Sequence, residues 1–229
     1  MKTISALIAA TVSLLAAGAA ESAPLITNGS FETPTVPSGG FTTFSVGSSA
    51  ITGYTVVGPA NTAVAIVNGT FSQNGVSFPA QDGIQWLDLT GNGSNSTEGV
   101  SQSVATIAGD QYQLSYFVGN TTGGGVFGTT STVNVSVNGA PTFSDTNSIA
   151  SPTTLTWEPF THTFVAAGPS TTLSFLNGDP GGDNSNGLEN IVLTDLGPVG
   201  TPVPEPASLA LFASALAGFG LIRRRRSRA

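Results

Sequence analysis

The sequence predicts an all-β fold, a jelly-roll sandwich, set between two targeting segments. Three observations predict it. The chain between the two ends is rich in Gly, Ser, Thr, Asn and Val. Short segments of alternating polarity recur there between turn signals. Charged, helix-favouring stretches are missing from the same region.

The candidate strands run in order along the chain: Leu25–Phe31, Gly53–Val57, Ala63–Val67, Gly83–Leu89 and Gly99–Ile107, then Gln111–Val118, Thr132–Val137, Trp157–Val165, Thr171–Leu176 and Glu189–Leu196. In Gln111–Val118 the period-two rule puts Tyr112, Leu114, Tyr116 and Val118 on one face. Val133, Val135 and Val137 do the same in the next segment, and Asn138-Gly139 supplies a tight turn after it. These candidates are too many for one small open sheet, whereas two packed sheets leave fewer exposed edges. Thr121 to Gly128 is glycine-rich and is expected to be a mobile loop, and Asn177–Gly187 to be a long polar one. The expected domain is 21–196, followed by a Pro/Gly linker over 197–206.

Both ends carry addresses. Lys2 precedes an apolar run from Ile4 to Ala17, and small residues follow it. A positive start, a short apolar stretch and a small-x-small exit form a secretory signal peptide, 1–20, handled by the Sec machinery. Gly18 and Ala20 favour cleavage after Ala20, with Ala23 as second choice. A retained anchor would need about 20 apolar residues, more than the run provides. At the other end, Pro204-Glu205-Pro206 precedes an apolar run, 207–222, and Arg223, Arg224, Arg225, Arg226 and Arg228 close the chain. As a helix that run would be about 24 Å long, close to a bilayer core of about 30 Å. Its arginines, in the segment 223–229, should stay cytoplasmic.

This order resembles the tripartite PEP-CTERM signal of Gram-negative bacteria. The resemblance implies recognition by an exosortase, transient residence in the inner membrane, and delivery to the cell surface or extracellular matrix.

Every basic residue lies in one of the two addresses: between Glu21 and Ile222 there is no Lys and no Arg, while all the acidic residues lie from Glu21 to Glu205. Nucleic-acid binding is excluded, because nothing can displace backbone counterions. Arginine-fork capture of phosphate or carboxylate is excluded for the same reason. The chain has no Cys, so neither disulfides nor thiolate chemistry is available to it.

Within the domain, Asn28-Gly29-Ser30-Phe31-Glu32 comes first. Asp82-Gly83-Ile84-Gln85-Trp86-Leu87-Asp88-Leu89 and Ala108-Gly109-Asp110-Gln111-Tyr112 follow, and Gly187-Leu188-Glu189-Asn190-Ile191 comes last. This order resembles DUF642 and related PEP-CTERM-associated domains, which share the galactose-binding-like jelly roll of many carbohydrate-binding modules. The resemblance implies a structural calcium ion shared by Glu32 and Glu189, although Glu189 stands where Asp is usual. The alternative for Glu32 is a solvated residue after a strand. Asp179 and Asp183, with Asn184, Ser185 and Asn186, form a weaker second calcium candidate; without EF-hand spacing, the favoured reading of this stretch is a polar turn.

Catalytic signals are sparse. His162, the only histidine, has no Gly-x-Ser-x-Gly elbow beside it, and one His without Cys makes a poor zinc set. Asp82, Asp88, Glu98 and Glu158 could in principle supply a glycosidase pair, but scattered acids usually solvate a surface. Sugar binding would use aromatic faces: Trp157, Trp86 and Tyr54 are the candidates, with Tyr112 and Tyr116 in core-facing patterns and Trp157 expected to be the exposed one. The expectation is a non-enzymatic surface or matrix protein that binds polysaccharide. The alternatives are a structural or adhesive matrix component and, third, a polysaccharide hydrolase.

Overall fold

The structure, a computed structural model, describes residues 24–91, 96–179 and 185–200. The signal segment, the Pro204-Glu205-Pro206 element, the apolar run and the terminal arginines lie outside the described residues. Among the described residues no helix is long and apolar enough to cross a membrane.

The strands are β1 (Phe41–Ser45), β2 (Thr55–Val57), β3 (Ala63–Asn68), β4 (Ser72–Gln73), β5 (Val76–Ser77), β6 (Gln85–Asp88) and β7 (Gly99–Ala105), followed by β8 (Asp110–Asn120), β9 (Ser131–Val137), β10 (Ala140–Asn147), β11 (Thr156–Val165), β12 (Ser170–Asn177) and β13 (Gly187–Pro198). Two antiparallel sheets form a sandwich. One has the order β1-β3-β6-β13-β8-β11 and the other β10-β9-β12-β7-β2, while β4 and β5 make a separate hairpin. From β6 to β9, and again from β10 to β13, the chain changes sheet at every step. The core lies between the sheets, where Tyr112, Leu114, Tyr116 and Val118 of β8 meet Val133 and Val135 of β9 and Leu173 and Phe175 of β12. Asn138 and Gly139 both take positive φ (53° and 80°) and join β9 to β10 in a two-residue turn, as this dipeptide favours.

Four expectations change. Leu25–Phe31 is not a strand: Asn28 and Phe31 sit at φ 58° and 55°, outside the extended region, and side chains hold the segment in place of a ladder. Gln102 accepts from Thr27 N (2.8 Å) and donates to Thr27 O (2.9 Å). Gln85 accepts from Val36 N and donates to Phe31 O and Pro34 O. Second, β1 and β10 are edge strands with largely exposed, polar faces, so apolar alternation did not mark them. Third, the glycine-rich stretch is anchored: Phe127 is buried, and the hydroxyls of Thr121 and Thr122 donate to Ser151 O. Fourth, β13 outruns the expected boundary, and Gly197 and Pro198 still pair with Gln111 and Asp110.

Candidate functional sites

The two ends of the domain meet at one turn. Gly29 O accepts from Ile191 N (3.0 Å). Glu32 Oε1 accepts from the amides of Ile84 (2.8 Å) and Gln85 (3.1 Å). Glu189 Oε2 and Oε1 accept from the amides of Gln81 (2.5 Å) and Asp82 (2.9 Å). A bulge in β13 between Glu189 and Val192, with Asn190 at φ 50°, makes this possible. It sends Glu189 to the turn while Ile191 and Leu193 return to the core, the re-aiming that bulges provide. Burial pushes the Glu189 carboxyl up to about 8. The Gln81 and Asp82 amides oppose that rise, and the charges of Asp82 and Glu32 add to it.

Through the amides of Gln81, Asp82, Ile84 and Gln85 the pair ties the first segment to the last strand. Its chemistry, however, is a carboxyl-to-amide clasp. Both oxygens of Glu189 and one of Glu32 are already satisfied by N–H donors. Among the described residues no three His, Cys, Asp or Glu side chains converge to hold a metal. This donor set does not fit a calcium cage at the clasp.

A second polar cluster lies where β12 leaves the sandwich and β13 enters it. Asn177 Oδ1 accepts from Asp179 N (3.1 Å) and from Asn186 Nδ2 (2.8 Å). Asn186 Nδ2 also reaches Thr132 O (2.5 Å), and Thr132 N donates to Asp179 Oδ1 (2.8 Å). Burial pushes the Asp179 carboxyl up to about 6, against the lowering effect of its bonds from Thr132. Asp183 and Asn184 lie outside the described residues.

The aromatic candidates are committed to packing. Tyr54 (3% exposed) lies in the core and Trp86 (1%) under a second apolar cluster, so neither offers a ring face to a sugar. Trp157 is half-buried rather than exposed. Its ring lies over Gly119 and Gly187, where a methyl group on either glycine would come within 2.8 Å of it. It meets Trp86 edge-on at 5.8 Å and donates its indole N–H to Pro79 O (2.9 Å). The second cluster, on the outer face of the six-stranded sheet, also holds Ala65, Val67, Phe78 and Phe127. A cavity of about 90 Å³ remains there, lined by Phe41, Phe71, Trp86, Gln73 and Asp88 among others. That is well below the roughly 300 Å³ at which small-molecule pockets begin.

The outer face of the five-stranded sheet differs. Ser103 and Thr172 hydroxyls pair at 2.7 Å, Thr132 and Thr146 at 2.9 Å, and Ser174 donates to Ser101 at 3.2 Å. A depression of about 490 Å³ lies on this face beside Asn134, Ser136, Thr142, Ser144 and Leu176. Sequence reading missed this lattice, because single Ser and Thr residues at alternate positions look like ordinary solvated strand faces. A further depression of about 460 Å³, at Ser38, Thr70 and Ile84, lies beside the clasp.

His162 closes one side of the sandwich. Its Nε2 lies 2.6 Å from Asp145 Oδ2, which also accepts from the Tyr116 hydroxyl, and Phe143 stacks on its ring at 4.1 Å. Asp145 belongs to the edge strand of one sheet and His162 to the edge strand of the other, so the contact joins the sheets. No nucleophilic hydroxyl completes a triad in these contacts.

Comparison with known proteins agrees with this architecture. A Stig cyclase, Fisc, from Fischerella sp. TAU superposes with a TM-score of 0.51 at 14% identity, over 76% of this chain and 98% of that one. At that identity the likeness shows the fold alone. The CBM22-1 xylan-binding domain of Paenibacillus barcinonensis Xyn10C has a TM-score of 0.43 at 16% identity, over 70% of this chain and 97% of that one. TmCBM61 in complex with β-1,4-galactotriose has 0.42 at 17%, over 76% and 99%. No curated protein matches in sequence. The PEP-CTERM protein-sorting motif matches residues 202–226, and the family described as protein of unknown function DUF642 matches residues 24–187. With the larger part of its length matched, the chain belongs to the DUF642 family and carries a PEP-CTERM sorting motif.

Proposed function

We propose that this is an exported protein, handed to an exosortase by its PEP-CTERM tail, whose sandwich is a non-catalytic polysaccharide-binding module of the cell surface or matrix. The observation that carries the binding reading is the outer face of the five-stranded sheet. It is open and uncharged, its hydroxyls and amides are ordered by the strands, and its depression falls within the size range of ligand sites. Neutral sugar hydroxyls are matched by neutral donors and acceptors, and the domain lacks the cations that would recruit acidic partners. A signal peptide ending at Ala20 and a membrane helix over 207–222 complete the expected route to the surface.

One observation favours a second reading, a structural or adhesive matrix component without sugar selectivity: Trp86, Trp157 and Tyr54 are all spent in packing. A glycan array with the exported protein separates the two. Selective binding that is lost in an Asn134→Ala/Ser144→Ala variant of unchanged stability supports the module. Absence of selective signal supports the adhesive reading. Turnover of a sugar polymer would reject both.

A further inference from the structure

The last strand leaves the sandwich through an apolar, uncharged end. Gly197 and Pro198 of β13 pair with Gln111 and Asp110 at the start of β8, and Val165 at the end of β11 pairs with Gln111 from the other side. The β7–β8 turn closes at the same place, where Asp110 N donates to Ile107 O and Gly109 N to Ala166 O. The register therefore gathers Ile107, Val165, Leu196 and Val199 at one end, with exposures of 60%, 52%, 45% and 61%. They are four of the nine large apolar side chains exposed among the described residues. The segments that carry them read Ile107-Ala108-Gly109, Val165-Ala166-Ala167-Gly168-Pro169 and Leu196-Gly197-Pro198-Val199, without a charge.

Two acids stand nearby. Asp110 is buried, and Asp195 accepts from the Tyr112 hydroxyl (3.0 Å) and from Gly197 N (2.7 Å). The opposite end of the sandwich is knit by polar groups instead: Asn120 donates to Ile149 O, and Thr121 and Thr122 donate to Ser151 O. Clustered exposed apolar side chains mark a contact with protein or membrane. The course of the chain favours membrane. Only seven residues, 200–206, separate Val199 from the apolar run 207–222, and fully extended they reach at most about 28 Å. With no Lys or Arg between Glu21 and Ile222, the domain gains nothing from anionic headgroups, so aliphatic groups must make the contact. Four of them would hold a free domain to lipid only weakly. A short tether sets an effective concentration on the order of millimolar, at which a weak contact suffices.

We propose that the end of the sandwich formed by Ile107, Val165, Leu196 and Val199 docks on the lipid surface while the tail is in the membrane. The contact seats the domain over its own anchor and keeps Pro204-Glu205-Pro206 at the bilayer surface. Removal of the tail ends the tethering and lets the domain leave. The inference rests on the reading of 207–222 as a membrane run, and it is independent of the polysaccharide reading.

The chain has no Cys, so single cysteines can carry a fluorophore one position at a time. The tail-bearing chain is placed in vesicles of phosphatidylethanolamine and phosphatidylglycerol, free of other protein, with a nitroxide quencher on lipids of both leaflets. Ala108→Cys and Ala167→Cys label exposed positions of the docking end, and Ala150→Cys an exposed position beside Ile149 at the other. Ala215→Cys labels the apolar run. Probes at 108 and 167 should be quenched about threefold more than the probe at 150, as groups at the headgroup boundary are, and the probe at 215 should be quenched strongly. Strong quenching at 215 with equal values at 108, 167 and 150 would overturn the docking and leave the membrane run standing. No quenching at 215 would reject the membrane run, and the docking with it. Quenching at 108 and 167 that needs added exosortase would assign the surface to that enzyme and overturn the lipid contact. Ile107→Ser/Val165→Ser should bring 108 and 167 down to the level of 150 and leave 215 unchanged; undiminished quenching would count against the proposal. The labelled chains with Ile107 and Val165 intact decide the question even if this variant fails to fold.

Discussion

The two outer faces of this sandwich have the same kind of backbone and opposite treatments. On the six-stranded sheet, Ala65, Val67, Trp86 and Trp157 form an apolar surface. The β4–β5 hairpin and the Thr121–Gly128 stretch cover it with Val76, Phe78 and Phe127. On the five-stranded sheet the corresponding positions are Ser101, Ser103, Thr172 and Ser174, paired with one another, and Asn134 beside the open depression. The contrast teaches where recognition can occur. Both tryptophans, the natural sugar-stacking groups, lie on the covered face, where they serve stability. The open face presents no tryptophan among the described residues, so sugar binding there, as proposed, would rest on hydroxyls and amides beside Phe143 and Leu176.

The largest test of this division is Trp86→Ala. Loss of a fully buried tryptophan should cost about 3–5 kcal/mol, read by chemical denaturation. A stability near wild type would mean that the covered face is not a core, and the ring would return as a ligand candidate.

The clasp beside that face should show in the pH dependence. Glu189 moves from an unfolded value of 4.5 to about 8 in the fold. Between these values the folded protein holds a proton that the unfolded chain releases. In EDTA its contribution is therefore present in full below about pH 4.5 and is lost as pH rises through about 8. Denaturation midpoints should fall across that window in wild type and fall less in Glu189→Gln. Equal slopes would show that Glu189 does not carry the effect.

A smaller effect is expected between the sheets. The buried Tyr54 hydroxyl has no partner, and burial raises its pKa. Tyr54→Phe should stabilise the protein by about 1 kcal/mol, the order of an unsatisfied buried polar group. A loss of stability would mean that the hydroxyl has a partner, such as a buried water. The smallest change belongs to the open face. The Asn134→Ala/Ser144→Ala variant proposed for the glycan test should alter stability by no more than about 0.5 kcal/mol. A larger loss would make that face structural and erase the contrast drawn here.

Much of the sandwich was legible because alternation is a local signal. β8, β9, β12 and β13 each bury one face against the opposite sheet, so their apolar residues recur with period two. Asn138-Gly139 marked its hairpin through its own backbone preference. The edge strands β1 and β10 gave no such signal, since an edge strand with polar, exposed positions resembles a loop. Leu25–Phe31 gave a false one: it is apolar enough for a strand, but Asn28 and Phe31 turn the backbone and Gln85 and Gln102 hold it from elsewhere in the chain.

The candidate sites divide along the same line. Charge and composition were settled by residue identity alone. The lack of Lys and Arg between residues 21 and 222 reads directly from the chain, as does the order Pro-Glu-Pro, apolar run and arginines of the sorting motif. That Glu32 and Glu189 belong together was legible as a resemblance. That turn amides donate to both was not, because those N–H groups belong to a turn about fifty residues from one and more than a hundred from the other. Trp86 looked available until a hairpin and a glycine-rich stretch closed over it. Asp179 and Asn186 looked like parts of a solvated loop, but both are buried and bonded to Thr132 and Asn177. Hydrogen-bond satisfaction and burial are properties of closed space. Only the tertiary structure decides which donors and acceptors meet.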